Sequence, residues 1–260
     1  MPSVPFIKAT ACGNDFLIIK LADAPGDFQG LTRAICDRHN GVGADGVEWI
    51  VPANEADVRV RLVNADGSHA EISGNGTRCV AAWYCADRPV ESVRIETDAG
   101  VKTCELTSRR GNTFEFRSAM GEPKVGGELA VGLSYDEVKG IPVSMGNPHF
   151  VMFVPEFPFN WREIAAEIGT HRDFSNGTNV EVVRVTGEND IEIRIWERGA
   201  GETMSSGTGS SAAAVASIHS GRARSPVRVH APGGVQTVEW NREVLLYGPA
   251  TLLCWGEFFV

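Results

Sequence analysis

The apolar residues of this chain fall into short runs separated by polar turns. FLIIK (16–20) and FVMFV (150–154) are compact apolar stretches of strand length, and GVEWIV (46–51), VRVRLV (58–63), NVEVVRV (179–185) and IEIRIW (191–196) read as further strands. LTRAICDRH (31–39) and NWREIAAEI (160–168) instead carry apolar residues at helical spacing, the second with Asn160 as the expected N-cap. Two more helical patterns follow glycine-rich turns: EISGNGTRC (71–79) runs into VAAWYCA, and ETMSSGTGSS (202–211) runs into AAAVASIHS.

These elements come twice in one order. A shift of 133 positions lays Gly13-Asn14 on Gly146-Asn147, Val47-Glu48 on Val180-Glu181, Ser73-Gly74 on Ser206-Gly207 and Gly76 on Gly209. One further residue of shift lays VRIETDAGVKTCE (93–105) on VRVHAPGGVQTVE (227–239). Matches in order at nearly one offset indicate a duplication. The expected fold is therefore α+β: two pseudo-symmetric duplicated domains of mostly antiparallel strands around a helix, with the site in the interdomain cleft. The boundary is expected near 117–124, giving domains 1–118 and 119–260.

A glycine turn opening a helix presents unpaired N–H groups and the positive end of the helix dipole, which suits an anion. Two such turns can hold one carboxylate, with Ser73 and Ser206 on opposite sides of the carbon that bears it. That is the arrangement for taking a proton from one face of an α-carbon and returning one to the other. The charge that builds up meets oriented N–H donors, and no cofactor is needed. For a single turn, a plain serine N-cap is the better reading; repetition favours function. GVGADG (41–46) matches a dinucleotide-binding fingerprint, but a helical pattern precedes it and a strand pattern follows, the reverse of that motif's context. Asn40-Gly41 reads instead as a helix C-terminus.

Composition narrows the function classes. With 260 residues, 43% hydrophobic and 22% charged, the chain can bury a full core. A net charge of −9 without a basic tract argues against nucleic acid, and no apolar run reaches the ~18 residues of a membrane span. Six scattered cysteines without CxxC pairs suggest reduced thiols in a cytoplasmic protein, most of them in the core, and no metal site.

The motifs GNDF (13–16), DRHNGVGADG (37–46), NADGS (64–68), GNGTRC (74–79), GNPH (146–149), Asn179-Val180 and ERGAGET (197–203) together resemble those of the diaminopimelate epimerase family, from about residue 6 to the C-terminus. The resemblance implies a cofactor-independent isomerase that converts LL- to meso-diaminopimelate on the lysine and peptidoglycan route, with two similar halves and a homodimeric assembly. It implies that the last strand, about 250–260, returns to the first domain. Substrate binding falls by resemblance on Asn14, Asn64, Asn147, Asn179 and Arg198 with Glu197 nearby, and on the N–H groups of Gly74, Asn75, Gly207 and Thr208. His149 and Glu197 would assist the acid/base pair.

That pair departs from the family, which has cysteine at both positions where this chain has Ser73 and Ser206. A thiol with pKa about 8.5 yields a thiolate near neutral pH, whereas a serine hydroxyl acts as a base only with help. Three accounts stay open on sequence: serines engineered to trap bound substrate, native serines in a slow or helper-dependent epimerase, or a scaffold that binds an amino acid or isomerises a different one.

Overall fold

The computed structural model describes residues 2–24, 26–134 and 136–260, and the chain divides into two compact units, 1–118 with 248–260, and 119–247. In the first unit come β1 (Ser3–Ala11), β2 (Asn14–Lys20), α1 (Phe28–Cys36), β3 (Gly46–Val51) and β4 (Val58–Asn64). They are followed by β5 (His69–Ala70), α2 (Gly74–Ala86), β6 (Ser92–Thr97), β7 (Gly100–Arg110) and β8 (Thr113–Gly121), which carries the chain into the second unit. There β9 (Lys124–Val125), β10 (Leu129–Gly132), β11 (Glu137–Ser144), β12 (Pro148–Phe153), α3 (Trp161–Gly169), β13 (Asn179–Gly187) and β14 (Asp190–Glu197) lead to β15 (Gly201–Thr203) and α4 (Gly207–His219). β16 (Val227–Ala231), β17 (Gly234–Trp240) and β18 (Val244–Phe259) complete the chain, and the outer part of β18 pairs antiparallel with β1 from Ser3↔Phe259 to Thr10↔Thr251.

The duplication is present in the strand register. β2 and β3 run parallel with Phe16 beside Gly46, and β12 and β13 run parallel with His149 beside Asn179, the same pairing displaced by 133 residues. β3 then meets β4 antiparallel with Val47 beside Val63, and β13 meets β14 with Val180 beside Trp196. Most other pairings are antiparallel, with β4–β6 and β14–β16 parallel in addition.

Each unit holds a helix buried on nearly all sides. Around α2, the core is built from Ala9, Phe16, Val60, Leu62, Ile95, Phe114 and Phe116, so strands from most of the unit pack on Cys79, Val80, Ala81 and Ala82. Around α4, Val143, Val151, Ile193, Val229, Val238 and Leu246 do the same for Ala212 to Ala216. Small residues on every face of α4 let strands approach from every side. By contrast α1 and α3 are amphipathic and cover the outer faces of the parallel pairs, on Leu17, Val47 and Trp49 in one unit and on Phe150, Val180 and Val182 in the other.

Two local expectations need correction. The first helix runs from Phe28 to Cys36 and not over 31–39: the Asp27 carboxylate accepts from Gly30 N–H and starts it early. It stops at Cys36, where Val42 and Gly43 N–H both donate to Ile35 O, so Asn40-Gly41 lies in the turn beyond the helix. Asn160 occupies the N-cap position of α3, but its side chain makes no capping hydrogen bond.

Candidate active site

Both glycine turns are built alike. Ser73 is the N-cap of α2 and Ser206 of α4, each in extended conformation, and each hydroxyl oxygen accepts from the backbone three residues on, Gly76 N–H at 3.0 Å and Gly209 N–H at 3.2 Å. The serines are thus caps in fact, with Ser206 buried and Ser73 half-buried. A hydroxyl that accepts in this way still has its own proton to donate. The first-turn N–H groups at Gly74, Asn75, Gly207 and Thr208 come before any residue that an intrahelical bond can satisfy, which suits them to an anion.

Side chains from the preceding strands converge on these turns. In the first unit, Asn75 Nδ2 donates to Asn14 Oδ1 at 2.6 Å, Asn14 Nδ2 donates to Asp45 Oδ2 at 3.1 Å, and buried Arg78 donates to Asn75 Oδ1. Asp45 in turn holds Arg38, which also pairs with Asp15. Burial would raise Asp15, but hydrogen bonds from Arg38 and Lys8 outweigh it and hold its carboxyl below the usual range.

In the second unit, the equivalent Asn147 Nδ2 lies 3.4 Å from Thr208 Oγ1, itself 3.4 Å from Ser206 Oγ. His149 Nε2 is 3.0 Å from Asn147 Oδ1, and its Nδ1 is 2.8 Å from Glu181 Oε1, with both side chains essentially out of contact with solvent. Burial pushes the Glu181 carboxyl up, and His149 partly offsets that. The route from Ser206 through Thr208 and Asn147 to His149 is thus continuous, with long first links.

Four assigned residues sit somewhat apart from these networks. Asn179 Nδ2 donates to Pro148 O at 2.9 Å, and its Oδ1 accepts from Arg198 N–H at 2.9 Å, which fixes the backbone that carries Arg198. The exposed Arg198 guanidinium donates to Asn176 O at 2.8 Å, leaving most of its donors for a carboxylate. Glu197 Oε1 accepts from the Thr203 hydroxyl at 2.7 Å, and burial pushes its carboxyl up. Asn64 Nδ2 donates to Ser68 Oγ at 3.0 Å and has no bond to the other assigned side chains among the described residues.

The sequence reading missed two residues. Glu48 and Glu181 are both fully buried, one under each glycine turn. A methyl group placed on Gly76 would overlap Glu48 Oε1, and one on Gly209 would lie 2.8 Å from Glu181 Oε1. Glycine at these positions is what admits a carboxyl group beneath each helix start. The available signal was an acidic residue inside an apolar strand, at the same place in both repeats.

A model of the diaminopimelate epimerase family matches residues 6–125 and 141–253. The chain belongs to that family. It is 40% identical over 276 residues to the diaminopimelate epimerase of Pelotomaculum thermopropionicum, covering 97% of this chain and 98% of that protein. It is 36% identical over 275 residues to that of Desulfitobacterium hafniense, covering 96% of each. Among solved structures, a phenazine biosynthesis protein of the PhzF family from Bacillus anthracis superposes with a TM-score of 0.74 over 100% of both chains at 14% identity. At that identity the likeness is one of fold alone.

Proposed function

We propose that the chain inverts one α-carbon of diaminopimelate, LL to meso, without a cofactor, using Ser73 and Ser206 on opposite faces of that carbon. The observation that carries the reading is the repetition of one turn, a serine N-cap opening a glycine-rich helix start, at register-equivalent places in two halves of a chain from this family. The reacting α-carboxylate would bind the N–H groups of Gly74, Asn75, Gly207 and Thr208. These donors face the oxygens on which negative charge grows as the α-proton leaves, and so favour the transition state over the ground state. Asn14, Asn64, Asn147 and Asn179 would take the polar groups of the distal end, with Arg198 on the distal carboxylate and Glu197 accepting from an ammonium. His149 and Glu197 would assist the proton transfers. The amino-acid binder and the racemase for another substrate gain no observation of their own.

The test is α-proton exchange. The chain incubated with LL-diaminopimelate in D2O should lose its α-H NMR signal well above the enzyme-free rate and form the meso isomer. Binding with neither exchange nor inversion would overturn the reading. Arg198→Ala should raise KM for diaminopimelate by about ten- to a hundredfold with a smaller change in kcat, as expected for loss of a charge-assisted contact made in both ground and transition states. An unchanged KM would remove Arg198 from the site.

A homodimer and a cytoplasmic location belong to the same proposal. On β18, Trp255 is 84% exposed, with Leu253 and Phe259 also exposed, an apolar surface of the kind that marks a protein partner. Trp255→Glu should convert a dimer into a monomer in sedimentation; if the unaltered chain sediments as a monomer, the assembly is wrong. All six cysteines are free, five of them buried, which fits a reducing compartment. No helix among the described residues is long and apolar enough to cross a membrane.

A further inference from the structure

Glu48 has no place in the reaction as described so far, yet its setting is unusual. It is 1% exposed, and neither carboxyl oxygen has a hydrogen-bond partner among the described residues. Burying an unpaired polar group disfavours folding, and the flanking strand positions Val47 and Trp49 show that apolar side chains suit β3. The pleat turns Glu48 to the opposite face from them, toward the first turn of α2. There its Oε1 occupies the space that a Cβ of Gly76 would fill, and that same point lies 3.2 Å from Ser73 Cβ. Carboxyl group and serine therefore meet at one glycine.

The repeat shows that this placement belongs to the design of the turn. Glu181 stands in the equivalent position, and the corresponding point on Gly209 is 3.1 Å from Ser206 Cβ and 3.3 Å from Ser206 Oγ. The two carboxyl groups differ in their neighbour. Glu181 is held on His149, whereas the register equivalent of His149 in the first unit is Phe16, which offers no polar atom. Left with no partner, Glu48 is pushed by burial up to about 8, so at neutral pH it carries a proton.

We propose that Glu48 is the proton reservoir behind Ser73, closing a hydrogen bond to that hydroxyl when substrate binds and exchanging a proton with it whenever Ser73 gives or takes the substrate's α-proton. The proposal rests on the reading that the two serines work on one α-carbon. When Ser73 protonates the carbanion, its O–H bond breaks as the new C–H bond forms, and the Glu48 proton moves to Ser73 Oγ, leaving a Glu48 carboxylate. In the reverse direction Ser73 takes the α-proton as its own hydroxyl proton passes to that carboxylate. No oxidation or reduction occurs, and the Glu48 proton is replaced through Ser73, from solvent that reaches that half-buried hydroxyl once product has left or by reverse turnover. Glu48 acts through Ser73 and does not touch the substrate. It supplies what a serine lacks in a position where the family has a thiol.

The test uses Glu48→Gln and Glu48→Met in the full chain, with α-deuterium incorporation and inversion read separately from LL- and meso-diaminopimelate in D2O. Glu48→Met removes an unpaired polar group at similar volume and is expected to melt at or above the temperature of the unaltered chain. Both variants should lose about a hundredfold or more in inversion, the scale of general acid–base assistance. One of the two isomers should still exchange its α-proton with retention of configuration, because the Ser206 side is intact. A purely structural residue would not separate exchange from inversion. Inversion within threefold of the unaltered chain in either folded variant overturns the proposal, as does equal loss of exchange from both isomers with binding retained. If the unaltered chain itself neither exchanges nor inverts diaminopimelate, the underlying reading fails, and the proposal with it.

Discussion

Replacing Ser73 and Ser206 together by cysteine is expected to raise epimerisation of diaminopimelate by about a hundredfold or more, since each face then gains a competent acid/base group. A free thiol titrates near 8.5, and a helix N-terminus lowers it further. Both positions are N-caps whose side chains already accept from a first-turn N–H group, at Gly76 and Gly209, so a thiolate there would meet the same donors and the positive end of the dipole. The single replacements should behave differently from the pair. One cysteine speeds exchange at its own face, but inversion still needs a proton from the other, so inversion stays close to that of the serine form. NMR of the α-proton in D2O, alongside chiral separation of the isomers, measures both rates. A double variant that binds diaminopimelate but turns over no faster than the serine chain would mean these two positions do not move the proton.

Much of this architecture was legible because duplication writes the same physics twice. A single Ser-Gly turn is indistinguishable from an ordinary helix cap, and each of these serines is one. It is the recurrence of that turn, of Gly-Asn before a strand, and of Val-Glu inside a strand, at one offset, that foretold two matched halves; that β2–β3 and β12–β13 pair parallel was not among the expectations. Side-chain networks were less accessible. The bond from Asn75 to Asn14 joins residues 61 apart in the chain, as does that from Asn147 to Thr208, and neither leaves a mark in local periodicity. Helix ends were misplaced for a related reason: Asp27, which starts α1, lies outside the apolar pattern, and the loop amides that end it fold back on Ile35 O from beyond the helix. Glu48 was visible but misread, as a mark of repetition. A charged residue in an apolar strand has a cost, and that cost was the clue.

The cost of Glu48 should appear as a pH dependence of stability. Its ordinary value is 4.5, and burial raises it to about 8 in the folded chain. The folded state thus binds the proton more tightly than the unfolded state. The resulting stability is fully present below about pH 4.5 and is lost as pH rises through about 8. Over that window the unaltered chain should lose a few kcal/mol, or roughly 5–10 °C in melting temperature, from this group alone. Glu48→Gln keeps the shape of the neutral acid but cannot ionise, so its stability should fall less between pH 5.5 and 8.5, and the two curves should diverge with the variant more stable at the alkaline end. Glu181 and Glu197 are also raised, but they are present in both chains and cancel in the difference, while Asp15, held low by Arg38 and Lys8, acts below this window. Denaturation midpoints at the two pH values decide the matter. Parallel curves would mean that Glu48 is ionised across this range in the folded chain as it is in the unfolded one, its charge met by a partner. A diverging pair would show a fold that keeps a destabilising carboxylic acid under Ser73, and that requires a reason outside stability.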